Sequence, residues 1–192
     1  MKPYIFIVIL AVVVIIACLV GTNIIAENNK AKNGEKELKE YNKTLELVKD
    51  INQNSDFGGL ELLGFSSKTG KDQQSEGASD ILPDFAEEAK NGVEGIYFNY
   101  PYDSNDYRLA KISLTTIPYH IYGITIGQTL NDVTPLLKEK GFTEHEKSSE
   151  ADSDFFLYRQ HHVSISLKIS KDTGTISTII VSVYDKLDNR VY

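Results

Sequence analysis

Two adjacent histidines, two acidic clusters, a run of tyrosines and a single cysteine are the residues of this chain whose chemistry could exceed packing. His161-His162 looks like a metal pair. Neighbouring side chains on a strand point to opposite faces, however, and a zinc site needs three or four converging ligands. His120 and His145 lie at no spacing that completes such a set, so exposed or turn histidines and no metal are expected. Asp103-Ser104-Asn105-Asp106 and Asp152-Ser153-Asp154 offer oxygen ligands. Both lack the glycine and distal glutamate of a dedicated calcium loop and read as Asx-rich turns. Glu144 to Asp154 reads as an acidic, solvated loop. The sequence carries no Gly-x-Ser-x-Gly, no His-Glu-x-x-His, no nucleophilic cysteine and no phosphate-binding loop. We therefore expect no catalytic residue and no cofactor. The alternative is an exported envelope hydrolase, which would hold His161 or His162 beside Ser and Asp in a deep pocket.

Tyr97, Tyr100, Tyr102, Tyr107, Tyr119 and Tyr122 account for six of the chain's eleven tyrosines. Tyrosine supplies contact area at small entropic cost and is enriched at binding surfaces, although it is also an ordinary strand residue. Exposed members of this set are the expected contacts with a partner protein, and Tyr100 and Tyr102 are the ones to mutate first.

The cysteine, Cys18, sits in an apolar run. Ile5 to Val20 is sixteen residues without a charge, and Tyr4 to Ile25 is 22 residues after Met1-Lys2-Pro3. At 1.5 Å per residue the longer stretch gives about 33 Å of helix, enough for a hydrocarbon core of about 30 Å. Such a segment is an uncleaved anchor, a lipoprotein signal with a lipid on Cys18 (Val14-Ile15-Ile16-Ala17-Cys18 resembles a lipobox), or a leader cleaved near Ala26 to release the chain. Each places residues 27–192 outside the cytoplasm. Lys30, Lys32, Lys36 and Lys39 count against export under the positive-inside rule, but a long following domain translocates largely regardless of charge.

The chain's net charge is −7, and Lys2 is its only charged residue before Glu27, so the part beyond residue 26 carries −8. That balance repels phosphate backbones, and nucleic acid is not an expected partner. One cysteine excludes an intramolecular disulfide.

The elements that must position these groups follow from patterning. Residues 1–26 form the signal or anchor segment and 27–56 a polar stalk. In the stalk Leu38, Tyr41, Leu45 and Val48 recur at helical spacing. Residues 57–192 form the extracytoplasmic domain. Within it, Phe57–Phe65 suggests a strand, and the polar stretch 66–80 reads as a mobile loop. Ile81–Asn91 reads as a short helix begun by Pro83 and ended by Asn91-Gly92. Strands are expected at Gly95–Tyr100 and Tyr107–Ile117.

Thr129-Leu130-Asn131-Asp132 resembles a capping box opening a helix that ends at Gly141, with Pro135 either inside it or at its first position. Three strands follow. They are Phe155–Gln160, an alternating strand from Val163 to Ser170, and Thr175–Tyr184 after a turn at Lys171-Asp172-Thr173-Gly174. The class is α+β: a helix packed on an antiparallel β-meander as a two-layer sandwich, preceded by an N-terminal hydrophobic helix and a helical stalk.

Residues 123–183 also carry a family likeness. Gly127-Gln128-Thr129 with Val133, Phe156-x-Tyr158, the alternating strand and Asp172-x-Gly174-x-Ile176-x-x-Ile179 resemble the small outer-membrane-assembly lipoproteins and their structural relatives, the β-lactamase inhibitor proteins. The lipoproteins commonly show Leu-Gly-x-Pro after the helix, where this chain has Lys140-Gly141-Phe142. The resemblance implies helices on an antiparallel meander and a module that binds or assembles proteins without catalysis. The inhibitor proteins use two tandem copies, and a helix at Ile81–Asn91 would begin a degenerate first copy. A passive structural lipoprotein is the remaining alternative.

Overall fold

The computed structural model describes residues 34–65, 85–90, 92–99 and 107–184, with backbone alone at 85–90, 98–99 and 107. The apolar segment with Cys18, the expected loop at 66–80, and Tyr100 and Tyr102 lie outside the described residues. The chain divides into two compact units, Met1–Asn42 and Lys43–Tyr192. In the first, residues 34–42 are helical and Leu38 is 60% exposed.

The class is α+β. Helix α1 covers 34–53 and α2 covers Leu130–Glu139. The strands are β1 (Ser55–Asp56), β2 (Phe85–Lys90), β3 (Val93–Asn99), β4 (Tyr107–Leu114), β5 (His120–Ile121), β6 (Thr143–Ser149), β7 (Ser153–Gln160), β8 (Val163–Ser170) and β9 (Ile176–Val183). β1 and β5 pair as a small sheet, and the other seven form one sheet in the order β2-β3-β4-β9-β8-β7-β6. Every pairing is antiparallel. Two meanders, β2–β4 and β6–β9, thus meet at their last strands, with Ile112 opposite Val181 and Leu114 opposite Ile179.

The alternation in β8 sets the faces. Val163, Ile165, Leu167 and Ile169 are buried, and the intervening Ser164, Ser166, Lys168 and Ser170 are half-buried. Their partners Val181, Ile179, Phe156 and Tyr158 extend the apolar face across β9 and β7. Burial of each such aliphatic side chain contributes about 1.5–3 kcal/mol, before the opposing loss of chain entropy.

Helix α2 lies against β7, where Thr134 Oγ1 and Tyr158 Oη are 3.1 Å apart, and it buries Val133 and Leu137. The capping box forms at its start: Asp132 N–H donates to Thr129 Oγ1 (3.4 Å), and Thr129 N–H to Asp132 Oδ2 (3.2 Å). The helix begins at Leu130, so Pro135 lies inside it and not at its first position. The carbonyl that Pro135 leaves without its helical donor belongs to exposed Asn131, where water can serve it. At the other end Gly141 adopts φ +88°, and the amides of Gly141 and Phe142 donate to Lys138 O and Leu137 O, a Schellman closure.

Four expectations need correction. Phe85–Lys90 is a strand, not part of a helix. Its Phe-Ala-Glu-Glu-Ala-Lys composition favours helix locally, but pairing with β3 overrides it. That removes the helix that a first tandem copy would need. Phe57–Phe65 is a chain of turns, with Phe57 and Leu62 buried. It is fastened to β4 by Leu63 N–H to Leu109 O (2.8 Å) and Leu109 N–H to Gly64 O (2.9 Å).

Thr143–Ser149, expected within a solvated loop, is an ordered edge strand whose seven residues are all exposed. Lastly, the buried stripe of α1 in the second unit is Thr44, Leu47, Val48 and Ile51, whereas Leu45 is 38% exposed. Helical spacing admitted both stripes, and Ile51, fully buried, decides between them.

Candidate functional site

The tyrosines of the set whose side chains are described, Tyr97, Tyr119 and Tyr122, do not share one environment. Tyr97 is 5% exposed and belongs to the core, which excludes it as a partner contact. Tyr107 falls on β4, opposite Asn99, with its side chain outside the described residues, as are Tyr100 and Tyr102 entirely. Tyr119 is half-buried. Tyr122 turns inward, at φ +53°, in the loop after β5.

Its phenol donates to Asp50 Oδ2 at 2.8 Å, and its amide lies 3.3 Å from Ser55 Oγ. Lys140 Nζ sits 4.6 Å from the Tyr122 ring centre and 3.9 Å from the same Asp50 oxygen. Burial, then the hydrogen bond to Asp50 and the charge of Asp50, push the Tyr122 phenol well above its ordinary range. The group stays protonated and acts as a donor. It joins α1, the β5 loop and the end of α2, which is a structural task. Asn52 adds a second tie from α1: its amide donates to Leu62 O (3.0 Å) and accepts from Leu62 N–H (2.9 Å).

The histidines separate in the same way. His161, at φ +51°, and His162 make the turn between β7 and β8. The His162 ring lies 5.7 Å from Tyr184, whose hydroxyl donates to His161 O (3.1 Å). His145 is the extra residue of a bulge between Glu144 and Glu146, and its Nε2 is 2.8 Å from Arg159 Nη1. A guanidinium only donates, so that nitrogen accepts. His120 Nδ1 receives the Gly123 amide (3.2 Å). Among the described residues no group of three or more His, Cys, Asp or Glu side chains is placed to hold a metal. No described helix is long and apolar enough to cross a membrane.

The acidic stretch carries the more exposed chemistry. Glu144 and Glu146 stand on β6, and Glu150 and Asp152 border the turn into β7. Ser153 Oγ donates to Asp152 (2.8 Å) and Ser149 Oγ to Asp154 (2.6 Å). These hydrogen bonds hold both carboxyls below the ordinary aspartate range. Lys171 reaches this end from the β8–β9 turn, 3.8 Å from Asp154 Oδ1 and hydrogen-bonded to Glu150 O. Thus only Asp152 of the expected Asx-rich turn lies in the turn, while Ser153 and Asp154 already belong to β7 and Asp154 takes its hydrogen bond from Ser149, its cross-strand partner on β6. Asp103–Asp106 lies outside the described residues.

β6 itself pairs with no strand but β7 among the described residues. Sequence reasoning missed this edge because nothing apolar alternates along it. The available signal was the strong strand pattern of its neighbour, β7.

No protein-family profile and no curated protein matches this chain. Among solved structures it is similar to a crystal structure of a DUF4309 family protein, YjgB, from Bacillus subtilis, with 18% sequence identity. The match covers 72% of this chain and 96% of that one, at a TM-score of 0.31, which fixes neither fold nor function.

Proposed function

We propose that this chain is a non-catalytic, membrane-tethered, extracytoplasmic module that binds another protein or assists envelope assembly. The observation that carries the reading is the sixteen-residue apolar run Ile5–Val20 ahead of a polar chain of net charge −8. Transfer of such a run from water to lipid is strongly favourable, so it anchors the chain directly, or through a lipid on Cys18. In this reading residues 4–25 form a hydrophobic helix, α1 continues from the tether, and the domain is a two-layer sandwich of helices on a sheet. The likeness of residues 123–183 to outer-membrane-assembly lipoproteins supports binding over catalysis. Tyr100 and Tyr102 remain contact candidates.

The test is fractionation of cells, with an alkaline wash of the membranes and protease added from the outer side. The chain is expected to stay with the washed membranes and to lose its C-terminal domain to the protease. A chain in the soluble cytosolic fraction, shielded from protease, contradicts the proposal.

A further inference from the structure

We propose that the outer edge of β6, which no described strand covers, is a docking site for an extended, lysine- or arginine-rich strand of a partner protein, added antiparallel or parallel to the sheet. This rests on the module binding a protein, and it names where and what it binds. The first observation is the backbone. Glu150 N–H donates to Ser153 O (2.8 Å), which makes those two residues a hydrogen-bonded pair at the mouth of the β6–β7 turn. Antiparallel pairs alternate between bonded and non-bonded. With Ser149 opposite Asp154, Ser148 opposite Phe155 and Lys147 opposite Phe156, the amides and carbonyls of Ser148 face β7. Those of Lys147 and Ser149 face away from it. They form an unextended ladder on a strand that is exposed at every residue and contains no proline.

The second observation is charge. From Thr143 to Asp154 the chain carries five carboxylates, at residues 144, 146, 150, 152 and 154, against one lysine, Lys147. Charged edges normally deter unwanted pairing. Here they deter a second copy of this chain in particular. Over the regular run 146–150, two-fold pairing centred on Lys147 sets Lys147 against Lys147, and centred on Ser148 sets Glu146 against Glu150; the register centred on Ser149 escapes a like-charge pair but overlaps only 148–150 of that run. Like charges directly opposite destabilise a strand pair, whereas opposite charges favour it. A basic strand meets Glu144, Glu146 and Glu150 with the complementary sign. The added main-chain hydrogen bonds supply affinity and the flanking charges select the partner.

The experiment uses the full chain in lipid nanodiscs and, as probe, a synthetic octapeptide alternating lysine and threonine. The readout is amide hydrogen exchange over 143–150 together with the dissociation constant. Bound peptide is expected to slow exchange in this segment. Its affinity should weaken about tenfold when Glu144 and Glu146 are both changed to Lys, and weaken as salt rises.

The discriminating variant is Lys147→Pro. It removes an outward amide while sparing the bonds to β7, and it also removes a positive charge. Charge alone predicts tighter binding of a basic peptide, and strand addition predicts its loss. Lys147→Ala, which keeps the amide, should bind at least as well as the parent. Peptide binding that survives Lys147→Pro, or protection that appears elsewhere, overturns the docking site and leaves the membrane-tethered reading standing. Protection of 143–150 without peptide, rising with protein concentration, overturns it in favour of self-pairing. A chain that proves cytosolic overturns the tether and leaves this result unaffected.

Discussion

The stretch from Tyr97 to Tyr122 and the stretch from Glu144 to Asp154 use their polar groups in opposite directions. In the first, two tyrosines turn inward: Tyr97 enters the core, and Tyr122 gives its hydroxyl to Asp50 beneath Lys140. In the second, the residues of β6 are all exposed, and the few side-chain hydrogen bonds they make go to its neighbour β7. Tyr97 and Tyr122, which resemble contact residues by composition, hold the fold together, whereas residues that resemble an inert loop make a strand whose outer edge no described strand covers. A side chain's chemistry therefore says less about its task than the strand face or edge on which it falls.

The largest expected effect that could break this contrast is at Tyr97. Tyr97→Ala should cost about 3 kcal/mol in denaturant unfolding, as large aromatic truncations in cores do. A change below about 0.5 kcal/mol would return Tyr97 to the surface. Next is Tyr122→Phe, which removes a hydrogen bond to a carboxylate that is itself half-exposed. We expect a loss of about 1 kcal/mol at neutral pH, discounted for solvent, with the domain still folded. Asp50→Ala, which removes the acceptor, should then make Tyr122→Phe nearly silent, the signature of a coupled pair.

The acidic stretch gives a pH test. Asp152, Asp154 and the capping Asp132 are all held below the ordinary carboxylate range, by hydrogen bonds from Ser153, Ser149 and Thr129 respectively. A depressed folded value means that their stabilisation is present above the unfolded value of about 3.9 and is lost as pH falls through the folded one. Tm should therefore drop below about pH 4, and the drop should shrink in the Ser149→Ala and Ser153→Ala double variant. An unchanged acid profile would mean that these turns contribute nothing through charge. The smallest effect is expected from Tyr100→Ala with Tyr102→Ala. Stability should move by no more than about 0.5 kcal/mol, while capture of the partner weakens. Unchanged capture removes both from the contact surface.

Much of the second meander was legible from residue order alone. Alternation over Val163–Ser170 reports one buried face, and Gly174 (φ +68°) and Gly141 stand where positive φ is required. The capping residues Thr129 and Asp132 signal a helix start by chemistry that needs no tertiary context. The misread elements share one property, that their structure depends on a neighbour. β2 is a strand through β3, and β6 is one through β7. The true stripe of α1 is fixed by what Ile51 and Thr44 meet, Thr44 Oγ1 lying 3.3 Å from the His162 amide. The site was less legible than the fold, because periodicity marks two faces of a strand without saying which is covered. Neither Tyr97 nor Tyr122 announces its direction in the sequence.

Mass spectrometry of the mature N-terminus, on chain purified from the membrane fraction, tests the tether most directly. The account predicts membrane-held protein that either begins at Met1 or begins at a lipid-modified Cys18. A chain starting at Glu27 in the medium would keep export and remove the tether. Full-length, unmodified chain dissolved in the cytosol would contradict the account outright.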